Sequence, residues 1–346
     1  MEVTSHVLQG NPGSSIEGLV LTFKRYKLPD NSGKRWSGST PVALVFAHCV
    51  GTHKETWVPV IEQLYQFQSC ATSRVTISEA WSMDSPNHGE AAAINDKTLL
   101  GRTQGITGYD WGRGVQALLK SGLICSSKVV SIGHSAGACI MVLSTVDYSP
   151  NDLPYSSMIL VEPTFMTKEL LAEAFKRPTE IVRVMNAVKN RRDIWESKEA
   201  ARAWFAKRLP WNRWDTRILD SFIEYGLRNL PTATYPDRTS GVTLACTRAQ
   251  ETVGYIYHQD GVNANERLKD ICPKIPVHCI FGAEIDLVPH ETHRTVYDAS
   301  QGRRMSSVTR IQGAGHLVTQ EAPLKLAREI WTALTHDYDN QSKPRL

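Results

Sequence analysis

Short apolar runs alternate along this chain with stretches of helical spacing, and that alternation limits the folds open to it more than any other feature. "PVALVFAH" (41–48), "SRVTISEAW" (73–81), "SKVVSIG" (127–133) and "SSMILVE" (156–162) read as strands. Between them, "VPVIEQLYQF" (58–67), "GVQALLKSG" (114–122) and "AGACIMVLSTV" (136–146) read as helices. Strands apolar on both sides and separated by helices predict an α/β fold, with a mostly parallel sheet covered on both faces. The first forty residues add strand-like pieces such as "GLVLTFKRYKL". After residue 163 the rhythm breaks. Residues 164–270 read as amphipathic helices with Pro-containing turns and no convincing strand. Strands resume at "PVHCIFG" (276–282) and "SSVTRIQG" (306–313), and "APLKLAREIWTAL" (322–334) closes as a helix. The expected organisation is a sheet domain, 1–163 and 271–346, interrupted by a helical cap at 164–270.

Composition narrows the class. The 346 residues are 41% hydrophobic and 21% charged, an ordinary balance for a chain with a large core. A net charge of +4 is small for this length, and no basic run interleaves with aromatics, so no nucleic-acid partner is expected. Cysteines number seven, and Cys49, Cys139 and Cys279 sit inside apolar stretches, as buried hydrophobes do. "MEVTSHVLQG" lacks the features of a signal peptide, and no segment nears the ~18 apolar residues of a membrane span. A reducing compartment inside the cell is expected.

The chemistry centres on "KVVSIGHSAGACIMV". Gly133-His134-Ser135-Ala136-Gly137 is a G-x-S-x-G motif, entered from an apolar strand and left by a helix. That context is a nucleophile elbow, a tight turn that holds the Ser135 hydroxyl clear of the backbone. A serine hydroxyl needs a base to take its proton. "GAGHLVTQEAP" offers His316, between the last strand and the last helix. The oxyanion of acyl transfer needs donors. One is the backbone N–H of Ala136, and the other is expected from the loop His48-Cys49-Val50-Gly51, with Val50 donating.

Further blocks carry a resemblance: "AHCVGTHKETWVPVIEQL", "MDSPNHGEAAAIN", "YDWGRGVQALL", "ILVEP", "RRDIWESKEAARAWF" and "WDTRILDSFIEYGL". With the elbow and "GAGHLVTQEAP", they resemble fungal α/β-hydrolases over about residues 40–335. The similar members are peroxisomal hydrolases of toxin and secondary-metabolite pathways, of the AK-toxin type and the acyl-CoA hydrolase type of mycophenolic acid synthesis. The resemblance implies an α/β-hydrolase sheet, a helical cap, a Ser–His–acid triad and peroxisomal residence. It implies a small-molecule acyl ester or acyl-CoA as substrate and leaves the acyl group open.

The acid has two candidate positions. In most such hydrolases it follows the strand after the cap, in a G-x-x-D-x-x-V-P pattern. Here Gly282-Ala283-Glu284-Ile285-Asp286-Leu287-Val288-Pro289 puts Ile285 in the strict register, and a one-residue loop shift would deliver Asp286. The other position is the end of the strand after the nucleophile helix, where the acyl-CoA hydrolase type carries an Asp. Glu162 stands there. An apolar strand closed by a carboxylate is costly without a partner, and His316 would supply one. Glu162 is the expected acid, Asp286 the alternative and Glu284 the next candidate.

Other features are read more plainly. His290-Glu291-Thr292-His293 has histidines three apart and reads as a polar turn. His48, His53 and His88 are expected near the mouth of the site, without the ligand set zinc needs. "KNRRD" (189–193) could meet the phosphates of an acyl-CoA or be a solvated helix face. No metal or organic cofactor is implied. The chain ends in Pro344-Arg345-Leu346, similar to a peroxisomal tripeptide address read by an import receptor. The expected activity is hydrolysis of an ester or thioester through an acyl-enzyme. The alternatives are a carboxylesterase or lipase, an acyl transferase or cyclase with the same triad, or an inactive hydrolase fold that binds ligand.

Overall fold

A computed structural model describes residues 1–29, 38–102, 104–176 and 180–339. The strands in chain order are β1 (Glu2–Gln9), β2 (Val20–Lys27), β3 (Thr40–Ala47), β4 (Val75–Met83), β5 (Val129–His134), β6 (Ser157–Val161), β7 (Ile194–Trp195), β8 (Leu227–Asn229), β9 (Val242–Leu244), β10 (Val277–Gly282) and β11 (Ser307–Ile311). Eight of them form one sheet in the order β1-β2-β4-β3-β5-β6-β10-β11. From β4 to β11 the pairs are parallel, while β1–β2 and β2–β4 are antiparallel.

The apolar runs predicted this sheet because both of its faces are covered. Successive side chains of a strand point to opposite faces. Ala43, Val45 and Ala47 of β3 join one core with Met141, Leu160 and Phe281, whereas Val42, Leu44 and Phe46 join the other with Ile132, Ile159 and Val161. The first core also takes Val115 from the helix Gly108–Lys120 and Ala264, Leu268 and Ile271 from the helix His258–Ile271. The second takes Ile61 and Leu64 from the helix Val58–Cys70, and Leu326, Ile330 and Leu334 from the last helix, Pro323–Asp339.

The stretch between β6 and β10 departs from expectation. It carries helices, such as Lys198–Phe205 and Thr216–Tyr225, but also a three-stranded antiparallel sheet in the order β7-β9-β8. Strands of two and three residues are too short to display an alternating pattern, which is why the sequence reads as strand-free there. A separate apolar cluster, including Trp195, Phe205, Phe222 and Leu244, holds these pieces together.

Candidate active site

Ser135 stands where β5 becomes the helix Ala136–Leu143, with φ 55° and ψ −115°. A non-glycine residue with positive φ is strained by roughly 1–3 kcal/mol and persists only where its surroundings enforce it. Two glycines do so here. A Cβ on Gly133 would lie 2.3 Å from the Gly137 carbonyl oxygen, and one on Gly137 would lie 2.3 Å from that of Ala47. The helix therefore starts in contact with the end of β3, and its first N–H groups, Ala136 included, have no acceptor within the helix.

His316 reaches this turn from the loop after β11. Its Nε2 lies 3.0 Å from Ser135 Oγ, and its Nδ1 lies 3.0 Å from Glu162 Oε2. Its backbone is gripped at both ends. The N–H donates to Asp286 Oδ1 at 2.9 Å, and the carbonyl accepts from His134 Nε2 at 2.8 Å. Gly315 allows this, since a Cβ there would lie 2.2 Å from Asp286 Oδ2. A carbonyl only accepts, so the proton of His134 is on Nε2. Burial, then the neighbouring His316, pushes His134 down to about 3.

Glu162 follows the last residue of β6 and takes φ 47°. It is 1% exposed, so its carboxylate depends on the partners at hand. Oε1 accepts the N–H of Gly282 at 2.5 Å. Oε2 faces two imidazoles, His316 Nδ1 at 3.0 Å and His293 Nε2 at 3.2 Å, the latter poorly aligned for a hydrogen bond. Burial pushes this carboxyl up, but the two histidines outweigh it and hold it at about 2.

The structure thus brings Ser135, His316 and Glu162 together and gives Asp286 a different partner, the His316 backbone. Glu284 stands outside the group, 3.7 Å from Arg213. His293 was not legible in the sequence. The expected polar turn at 290–293 is a helix, His290–Val296, with His293 buried under the strand ends.

The loop after β3 is held from behind. Ser85 N–H donates to His48 Nε2 at 3.1 Å, so the His48 proton is on Nδ1, which donates to the Cys49 carbonyl at 2.7 Å. Gly51 N–H donates to His88 Nε2 at 3.0 Å, and His88 Nδ1 donates to Asn87 Oδ1 at 2.7 Å. Burial holds His48 down at about 4 and also lowers His88. His48, His53 and His88 are buried, and His48 and His88 brace this loop from within. Val50 is half-buried, two residues after His48, whose carbonyl lies 2.5 Å from where a Cβ on Gly137 would stand. Cys49 is buried, accepts from Gln320 Nε2 at 3.2 Å and has its thiol pushed up to about 11 by burial.

In the segment 189–193, Arg191 and Asp193 are partly buried and paired, while Lys189, Asn190 and Arg192 are exposed. Arg191 forks onto Glu251, Arg192 Nε donates to the Ile194 carbonyl at 2.8 Å, and Asp193 pairs with Arg248 at 2.8 Å. His278, His336 and Asp337 bring three possible ligand atoms within 4.8 Å of one another. Both ring nitrogens of His278 are already committed, to Ser307 Oγ at 2.8 Å and Asp337 at 3.0 Å, and the group ties the last helix to the start of β10. No helix among the described residues is long and apolar enough to cross a membrane.

Comparison with known proteins agrees with this geometry at the level of family. The model of the Alpha/beta hydrolase family matches residues 44–329. A type I acyl-CoA thioesterase, mpaH of Penicillium roqueforti (strain FM164), is 25% identical over 244 residues, 68% of this chain and 52% of that protein. The chain thus spans about half the length of that curated relative. Among solved structures, the peroxisomal alpha-beta-hydrolase Lpx1 of Saccharomyces cerevisiae superposes with a TM-score of 0.78 at 19% identity, over 100% of this chain and 91% of that one. E-2-(Acetamidomethylene)succinate hydrolase superposes with a TM-score of 0.67 at 15% identity, over 96% of this chain and 99% of that one. The chain belongs to the alpha/beta hydrolase family.

Proposed function

We propose that this protein is a serine hydrolase that cleaves a carboxylic ester or acyl-CoA thioester through an acyl-enzyme. The observation that carries the reading is the unbroken run Ser135 Oγ–His316 Nε2 and His316 Nδ1–Glu162 Oε2, each contact 3.0 Å. In the first step Ser135 Oγ bonds to the substrate carbonyl carbon while its proton passes to His316 Nε2. The charge that develops on the carbonyl oxygen is met by the N–H groups of Val50 and Ala136, each such donor being worth about 2.7–4 kcal/mol. His316 then returns the proton to the departing thiolate or alkoxide. Water, deprotonated by His316, repeats the sequence on the acyl-enzyme and releases the acid. Glu162 keeps its charge throughout, fixes the ring through Nδ1–H and stabilises the imidazolium.

Residues 164–270 would act as the cap that shapes the acyl pocket over this site. The thioester preference is supported by likeness to a protein named as an acyl-CoA thioesterase. Labelling with a fluorophosphonate probe tests the chemistry: wild type should form an adduct at Ser135 and Ser135→Ala should not. A wild-type protein that stays unlabelled beside a reactive control hydrolase would refute the reading. Incubation with a panel of acyl-CoAs and oxygen esters, with products identified by mass, then separates thioesterase, esterase and acyl transferase. We further propose delivery to the peroxisome by an import receptor reading Pro344-Arg345-Leu346, which lie outside the described residues. The likeness to a peroxisomal hydrolase supports this.

A further inference from the structure

We propose that His293 is a positioning residue for the Glu162 carboxylate, a second imidazole set against the same oxygen that His316 faces. The inference rests on the serine-hydrolase reading above. His293 is 1% exposed, on the helix His290–Val296. Its ring packs against Phe281 of β10 with centroids 4.3 Å apart. Its two nitrogens face different groups. Nδ1 lies 3.5 Å from Arg310 Nη1, and Nε2 lies 3.2 Å from Glu162 Oε2. A guanidinium has donors and no acceptor, so the side facing Arg310 is the lone pair and the proton is on Nε2, facing the carboxylate. Arg310 is itself held, donating to the Gly282 carbonyl at 3.4 Å with its cation over Phe281 at 5.2 Å.

The need for a second imidazole follows from the residue at 162. Glutamate has one more rotatable bond than aspartate, so its carboxylate has one more way to turn from His316. Gly282 N–H holds Oε1, and His316 alone would hold Oε2. His293 supplies a further charge-stabilising dipole at Oε2 and a wall against which the carboxylate stops. It does not touch Ser135 or the reacting carbonyl, so it acts through Glu162.

The test separates the donor from the packing. His293→Phe keeps an aromatic ring against Phe281 and removes the N–H. His293→Gln places an amide N–H where Nε2–H stands. With p-nitrophenyl butyrate, His293→Phe should lower kcat by about 10- to 100-fold with little change in KM, the scale of a small misplacement of a reacting group. His293→Gln should recover most of that loss. The rate of fluorophosphonate labelling at Ser135 should follow the same order without requiring the natural substrate. In a Glu162→Ala background, His293→Phe should cost nothing further, because the group it positions is gone. Full activity in a folded His293→Phe protein overturns the proposal. So does a His293→Gln protein as slow as His293→Phe, or an added loss in the Glu162→Ala background. Failure of wild type to label at Ser135 would instead sink the serine-hydrolase reading.

Discussion

At Glu162 two unfavourable choices meet, a buried carboxylate and a left-handed backbone. Each costs free energy alone, and both recur at the one position where β6 ends beside His316. The partners offset the charge: Gly282 N–H, His316 and His293 surround the two oxygens. Glu162→Ala should therefore lower kcat by about 10³- to 10⁴-fold, the scale of losing the orienting acid of a triad, with circular dichroism unchanged. Asp286→Ala removes one acceptor from the His316 N–H and should be far milder. Reversed results in steady-state kinetics would move the acid to Asp286. Ser135 and His316 were legible because their signals are local: glycines flanking a serine at a strand end, and a glycine-rich turn before a helix. The sequence favours Glu162 over Asp286 without excluding the latter, because both flank a strand end within reach of His316. His293 was illegible for a stricter reason. Its meaning comes from β6 and β10 converging on it, and nothing within four residues of position 293 announces that.

The loop that follows β3 acts as one element with the elbow helix. His48 and His88 hold it by backbone contacts, and Gly51 takes φ 80° with no room for a side chain, since a Cβ would lie 2.9 Å from Glu251 Oε1. Val50→Ala should keep most activity in esterase assays, because its proposed contribution is a backbone N–H. His88→Leu should be worse. It leaves the half-buried Gly51 N–H without its acceptor, at a cost of at most about 1–3 kcal/mol, and the loop should shift. A lower melting temperature and a reduced kcat are expected; a His88→Leu protein equal to wild type in both would show that the loop holds itself. Sequence could place this loop but not its supports, because His88 lies in another connection that only the β3–β4 pairing brings alongside. The small sheet β7-β9-β8 was missed for want of length, whereas the long buried runs of β3, β5 and β6 could be read directly.

Across the whole molecule, His48, His88 and His134 are neutral in the fold, and their acid response should be shared. Burial lowers His48 to about 4 and His134 to about 3, and lowers His88 as well. An unfolded chain takes up these protons near pH 6.5. The folded values lie below the unfolded ones, so the stability each contributes is complete above about pH 6.5. It is lost progressively as pH falls from there toward the folded values, at up to about 1.4 kcal/mol per pH unit for each group. Melting temperature should fall steadily from about pH 6.5 to about pH 5, and a flat profile would contradict the neutral assignment. A reporter carrying the last dozen residues should form puncta with a peroxisomal marker, and removing Leu346 should disperse it; diffuse signal from both the reporter and the full-length protein would refute the proposed address. The last helix adds a geographical point. Asp337 binds His278 at the start of β10 and Ser157 at the start of β6, and Asp339 binds the N–H of Arg74 before β4. Ser135 and Glu162 stand at the finishing ends of β5 and β6. Asp339 thus stands at the pole of the sheet opposite Ser135 and Glu162, and a bulky fusion after it should block the proposed address while leaving fluorophosphonate labelling of Ser135 intact.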